Sequence, residues 1–114
     1  MTQLELIKVI GDMITILDML SANFGREDPD RKRLDNLRDE LDTFQRKLVR
    51  NGINETTVEF QACTESLKKI NADVNKTTDD IKQTAATLEN LVKFVKVIQE
   101  IVNLTPSSVQ GRCH

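Results

Sequence analysis

From Phe60 to Val102, the residues Phe60, Cys63, Leu67, Ile70, Val74, Thr77, Ile81, Thr84, Leu88, Leu91, Val95, Ile98 and Val102 follow one another in alternating steps of three and four. An α-helix turns once every 3.6 residues, so this spacing lays the whole set along one side of a helix, the seam by which helices pack along their length. The composition agrees. Of 114 residues, 30% are charged and 4% aromatic, Trp and Tyr are absent, and there are only four Gly and two Pro. That is the balance of helical bundles and coiled coils rather than of β-sandwiches or barrels. The expected fold class is all-α, in a single domain with a modest core.

Helix boundaries follow from capping chemistry. Thr2 and Glu5 have the spacing of a capping box, so a first helix is expected to start at Thr2, run to about Ala22 and end at Asn23-Phe24-Gly25, with Gly25 in the left-handed cap. A second starts at Asp28-Pro29-Asp30, where Asp28 caps, Pro29 suits the first helical position and Asp30 meets the positive end of the helix dipole. It runs to Arg50 and stops at Asn51-Gly52. A third is expected near residue 55, capped by Asn54 with an Ile53–Val58 staple or by a Thr56–Glu59 box.

The stretch from Asn71 to Thr84 is rich in Asn, Asp and Thr, which are poor helix formers. The heptad phase nevertheless passes through it unchanged. The preferred reading is therefore one helix from about 55 to 104, about 75 Å long. The predicted architecture is an antiparallel hairpin or bundle of three helices with a long third helix. The alternative is a four-helix up-down bundle with that helix broken near Asn75–Thr78. Residues 1–104 form the bundle in either case, and 105–114, with Pro106, Ser107, Ser108 and Gly111, are expected as a flexible C-terminal tail.

Arms 2–50 and 55–104 are nearly equal in length, so helices 1 and 2 laid end to end could run antiparallel to helix 3. Helix 2 carries a single narrow seam, Leu34, Leu37, Leu41, Phe44 and Leu48, amid heavy charge. Helix 1 is broader: beside the seam of Leu6, Ile10, Met13, Leu17 and Leu20 lie Ile7 and Ile14 on one flank and Val9 and Ile16 on the other. In the last third of helix 3, Ala85 and Val92 flank one side of the seam and Phe94 and Ile101 the other. Faces this wide need more than one partner helix. Two chains pairing through these ends, as a four-helix bundle from which charged hairpins project, would supply them. The predicted interface residues are Ile7, Val9, Ile14, Ile16, Leu88, Val92, Phe94 and Ile101.

No chemistry-bearing constellation appears. The one His, His114, excludes Glu-x-x-His di-iron ligation, and no phosphate-binding glycine loop is present. No catalytic residue, cofactor or metal is expected. The carboxylates read as solvated charge, laced by pairs such as Arg31 with Asp35 and Asp42 with Arg46. Arg31-Lys32-Arg33 is bracketed by Glu27, Asp28, Asp30 and Asp35, and the net charge is -2, which argues against nucleic-acid binding. Cys63 and Cys113 form no disulfide framework, and Met1 to Glu5 lack a basic signal region, so a reducing, cytoplasmic setting is expected. The sequons at Asn54 and Asn75 then read as chance.

The expected function is a non-catalytic helical interaction or oligomerisation module, acting as a homo-oligomer, with a dimer favoured, or with a helical protein partner. The alternative is a membrane-active or pore-forming-type protein whose apolar helix inserts into a bilayer. The polar stripe of helix 1, Glu5, Lys8, Asp12 and Thr15, is acidic on balance, whereas helices that lie on membranes are usually basic there.

Overall fold

The computed structural model describes residues 1–78 and 81–104, Ile81 by its backbone alone. Among these, four α-helices follow in order: α1 (Gln3–Ser21), α2 (Pro29–Arg50), α3 (Val58–Thr77) and, after a short 3₁₀ turn at Ile81–Gln83, α4 (Thr84–Val102). They pack antiparallel as an all-α bundle, α1 against α2 and α3 against α4, with α2 and α4 joining the two hairpins. The expected tail, 105–114, lies outside the described residues.

The local chemistry of each helix start explains its position. Thr2 and Glu5 form the capping box in both directions, with Glu5 N donating to Thr2 Oγ1 and Thr2 N donating to a Glu5 carboxylate oxygen, each at 3.1 Å. Hydrogen bonding to the carboxylate from the Thr2 backbone N–H, and secondly from the Thr2 side chain, holds the Glu5 carboxyl below its ordinary pKa. Asp28 caps α2 by accepting from Asp30 N at 2.9 Å, with Pro29 at the first helical position.

The start of α3 departs from expectation. Thr57 is the cap, accepting from Phe60 N at 3.2 Å, and Asn54 instead folds the preceding turn by accepting from Thr56 N at 3.0 Å. A short polar side chain has this choice between capping a helix and closing a turn, and the chain reversal at 51–57 decides it. Val58 is left 81% exposed, so the Ile53–Val58 staple is not made. The expected left-handed Gly25 is also absent: α1 ends on right-handed Ala22, and no described glycine has positive φ.

The larger correction concerns the long third helix. Thr78 caps α3 through its N–H to Val74 O at 3.0 Å, while its hydroxyl donates to the same carbonyl at 2.6 Å. Thr77 turns its hydroxyl back to the carbonyls of Asp73 and Val74. Side chains that compete for their own backbone weaken a helix, and here they sit where it stops. The chain then reverses, and Thr87 Oγ1 donates to Thr77 Oγ1 at 2.6 Å across the α3–α4 hairpin. The four-helix alternative is the observed architecture. Its principal extents are 43 × 25 × 22 Å, far short of the about 75 Å that a continuous third helix would span.

Helices 1 and 2 are likewise side by side, not end to end. Arg31 Nη1 donates to the carbonyls of Ser21 and Phe24 at 3.1 and 3.2 Å, tying the end of α1 and the turn after it to the start of α2. Further along, Arg38 pairs with Asp18 at 2.6 Å, and Gln45 Nε2 donates to Ile7 O at 3.1 Å. Gly11 faces the same glutamine, and a methyl there would meet Gln45 Nε2 at 3.4 Å, an ordinary contact. Close helix approach therefore does not require this glycine. Arg31→Gln is expected to lower stability by about 1–2 kcal/mol, the scale of a charge-assisted bond in a part-exposed setting. The check is a thermal melt, in which Tm should fall by roughly 3–8 °C for a domain of this size.

The core collects Leu6, Ile10, Met13 and Leu17 from α1, Leu34, Leu41 and Leu48 from α2, Phe60, Leu67 and Val74 from α3, and a broad set from Leu88 to Val102 on α4. No buried side-chain nitrogen or oxygen among the described residues lacks a partner.

Candidate functional site

The eight residues expected at an interface divide into two groups. Leu88, Phe94 and Ile101 are buried in the core of the single chain, Phe94 and Ile101 completely. Ile7, Val9, Ile14, Ile16 and Val92 are half-buried at its margin and pack against it. The apolar width of α4 thus arises because it meets both α2 and α3, so the need for a second chain at Leu88, Phe94 and Ile101 does not arise.

α1 differs from α4. It is among the outer helices, its close packing is on α2, and it stays apolar beyond the face it buries. Outside the seam of Leu6, Ile10, Met13 and Leu17, Leu4 is 77% and Met19 62% exposed. Ile7 and Ile14 lie on the flank that turns toward α2, as the bond from Gln45 to Ile7 O shows. Val9 and Ile16 occupy the opposite flank by helical rotation. On α4, Val92 lies about 200° around the helix from Asn90, which borders α3 beside Ser66 and Ile70; Val92 therefore turns away from α3.

Two concave features accompany this surface. At the end of the bundle where α1 and α3 stop, Leu20, Phe24, Thr77, Thr78, Thr84 and Thr87 enclose about 60 Å³. That is room for a few water molecules and no larger ligand. At the opposite end, between the start of α3 and the end of α4, a shallow groove of about 430 Å³ contains Cys63 and Glu100. The Cys63 thiol donates toward a Glu100 carboxylate oxygen at 3.9 Å. Burial, and then the Glu100 charge and hydrogen bond, push its pKa above the ordinary thiol value. The protonated thiol is thus favoured in the folded state, and the stability this contributes is present below the ordinary thiol pKa and declines as pH rises through it.

This environment is opposite to that of a reactive cysteine, which needs a neighbouring positive charge or helix N-terminus. In a Cys113→Ser background, alkylation of Cys63 by iodoacetamide near pH 8 is expected to be slower than that of a small-molecule thiol of ordinary pKa. Glu100→Gln should raise the rate part of the way back. Equal rates in all three would contradict the assigned cause.

Among the described residues, most carboxylates are exposed, several of them in ion pairs. Arg31–Asp35 and Asp42–Arg46 form as the sequence expects, at 3.3 and 2.9 Å. Among the described residues no group of three or more His, Cys, Asp or Glu side chains is placed to hold a metal ion, and no helix is long and apolar enough to cross a membrane.

Comparison with protein-family models, curated proteins and solved structures finds no match. The functional reading therefore rests on the surface itself. What sequence reasoning missed there is the use of Arg31 as a cap for α1 and the Cys63–Glu100 groove. Both join residues far apart in the chain, and no local spacing marks them.

Proposed function

We propose that this protein is a non-catalytic helical interaction module that associates, in the first instance with a second copy of itself, through the outward part of α1 and the half-buried rim around it. The observation that carries this reading is α1. Leu6, Ile10, Met13 and Leu17 are fully buried, Ile7, Val9, Ile14 and Ile16 widen the apolar arc beside them and are only half-buried, and Leu4 and Met19 stay exposed. A helix whose apolar arc is wider than the seam it buries, opposite a polar stripe of Glu5, Lys8, Asp12 and Thr15, has apolar surface to offer a further helix. Leu88, Phe94 and Ile101 take no part in the proposal, because they are used within the chain. Val92 contributes only as part of the rim.

Sedimentation velocity over a wide concentration range tests the reading. Self-association is expected for the native chain and should weaken by roughly tenfold or more in Leu4→Glu/Met19→Glu, the loss of about 1.4 kcal/mol of apolar contact. Both sites are exposed, so the variant keeps its fold by far-UV circular dichroism. A compact monomer of 13.0 kDa at every concentration would refute homomeric assembly. Co-flotation of the native chain with neutral or anionic liposomes would favour the membrane alternative instead.

A further inference from the structure

Three Asn-x-Thr tripeptides occur in the chain, at Asn54, Asn75 and Asn103, and the structure describes the whole of the first two. Such a tripeptide is the acceptor pattern for an N-linked glycan, whose transferase must hold the Asn amide and the Thr hydroxyl together. The fold treats the two oppositely. Asn54-Glu55-Thr56 lies in the turn between α2 and α3, outside any helix, with Asn54 and Thr56 both exposed. Thr56 donates to Asn54 Oδ1 from its backbone N–H at 3.0 Å and from its hydroxyl at 2.6 Å, so amide and hydroxyl stand side by side. Asn54 Nδ2 donates to no described residue and is open to an incoming group. Glu55 turns the other way: its carboxylate accepts from Gln3 N, and its carbonyl accepts from Gln61 Nε2 at 2.6 Å. The middle residue is thus anchored to α1 and α3, and the two that carry the chemistry face outward.

Asn75-Lys76-Thr77 is instead the last turn of α3. Residues two apart on a helix are about 200° apart around it. Asn75 accordingly faces solvent, whereas Thr77 is half-buried, donates to the carbonyls of Asp73 and Val74 and accepts from Thr87 Oγ1 of α4. An enzyme could hold both side chains only after the end of α3 had unwound. We propose that Asn54, and not Asn75, is the acceptor of an N-linked glycan, taken from a polyprenyl-diphosphate-linked oligosaccharide by an oligosaccharyltransferase. In that step Asn54 Nδ2 forms a bond to C1 of the first sugar as the bond from C1 to the diphosphate oxygen breaks. The electron pair of the broken bond leaves with the polyprenyl diphosphate, and one Nδ2 proton passes to a base of the transferase. The reading of both tripeptides as chance, drawn from an expected cytoplasmic setting, is thereby revised for Asn54 and kept for Asn75.

The test is incubation of the folded full chain with a purified eukaryotic single-subunit oligosaccharyltransferase and a lipid-linked oligosaccharide, with the occupancy of each asparagine followed over time by mass spectrometry. Tryptic cleavage places Asn54, Asn75 and Asn103 in separate peptides. The full chain unfolded by Leu67→Asp/Phe94→Asp, which sets two charges in the core, is the reference in which neither tripeptide is held by the fold. In the folded chain Asn54 is expected to be modified roughly tenfold or more faster than Asn75, whose reaction waits on local opening of α3. In the unfolded reference that ratio should fall to within about threefold. Thr56→Val removes the exposed hydroxyl at nearly constant size, and should abolish modification at Asn54 while the far-UV circular dichroism keeps its helical form. Absence of a glycan at Asn54 in the folded chain, whether or not the unfolded reference takes one, would overturn the proposal. So would modification of Asn75 in the folded chain as fast as that of Asn54.

Discussion

Phe94→Ala is expected to destabilise the folded chain by about 3–5 kcal/mol, the cost of removing a large buried aromatic and leaving a cavity. Phe94 is fully buried in the single chain, with Leu91, Val95 and Ile98 around it in the α4 core. For a domain of this length the total stability is about 5–15 kcal/mol, so the variant would be close to unfolding. The measurement is urea denaturation monitored by circular dichroism. Its concentration dependence carries the argument. If Phe94 were at a contact between chains, as its place on the wide heptad face first suggests, the loss would appear as weakened assembly and the midpoint would move with protein concentration. Because its neighbours come from the same chain, the shift should be the same at low and high concentration. Val92→Ala, at the half-buried rim, should cost roughly 1 kcal/mol or less.

Replacing Asn75, Thr78, Asp79 and Asp80 together by Ala is expected to convert a large fraction of the chain into a domain-swapped dimer. The argument joins two features. The seam from Phe60 to Val102 keeps one phase, so a continuous helix through this region would still present its apolar residues along one side. What opposes continuity is local, namely the poor helix propensity of these residues and hydroxyls such as that of Thr78, which bonds back to Val74 O. Four such residues exchanged for Ala favour a helix by about 2 kcal/mol in total. A straightened α3–α4 could no longer close on its own hairpin and would complete its packing with a second chain, the usual route by which a hinge change leads to swapping. Size-exclusion chromatography with light scattering should then find an elongated species at twice 13.0 kDa. A variant that remains a compact monomer would show that the hairpin is held by its contacts, among them Thr87 to Thr77, and not by the low propensity of the turn.

These two experiments meet at the point where the sequence was most ambiguous. The caps of α1 and α2 were legible because capping is written within a few consecutive residues: Thr2 with Glu5, and Asp28 with Pro29 and Asp30. The same holds for the i,i+4 pairs Arg31–Asp35 and Asp42–Arg46. At the start of α3 the sequence offers Asn54 or Thr56 as the cap, and the path of the chain out of α2 selects Thr57 instead. The helix break was visible as low propensity, but the unbroken phase outweighed it. Phase proves little about continuity here, because Thr77 and Thr84 are polar and count weakly as seam positions, and two antiparallel helices joined by a short turn can each keep a seam whose spacings happen to agree.

The candidate surface was legible to a similar depth. The apolar width of Ala85 to Val102 is met within the chain, where Leu88, Phe94 and Ile101 are buried as α4 packs on both α2 and α3. Ile7, Val9, Ile14, Ile16 and Val92 remain at the margin of the core. The contacts of Arg31 with the end of α1, and of Cys63 with Glu100, left no trace in local spacing.

The sequence by itself determined the all-α class, the first two helices and the apolar seams, since helical periodicity and capping depend on residues a turn or two apart. Only the tertiary structure decided that the third segment is two helices, that the four close on one another, and which apolar residues stay at the surface. The physical reason is that burial depends on which helix supplies the covering side chains, and a wide apolar face is satisfied equally well by a neighbour from the same chain or from another.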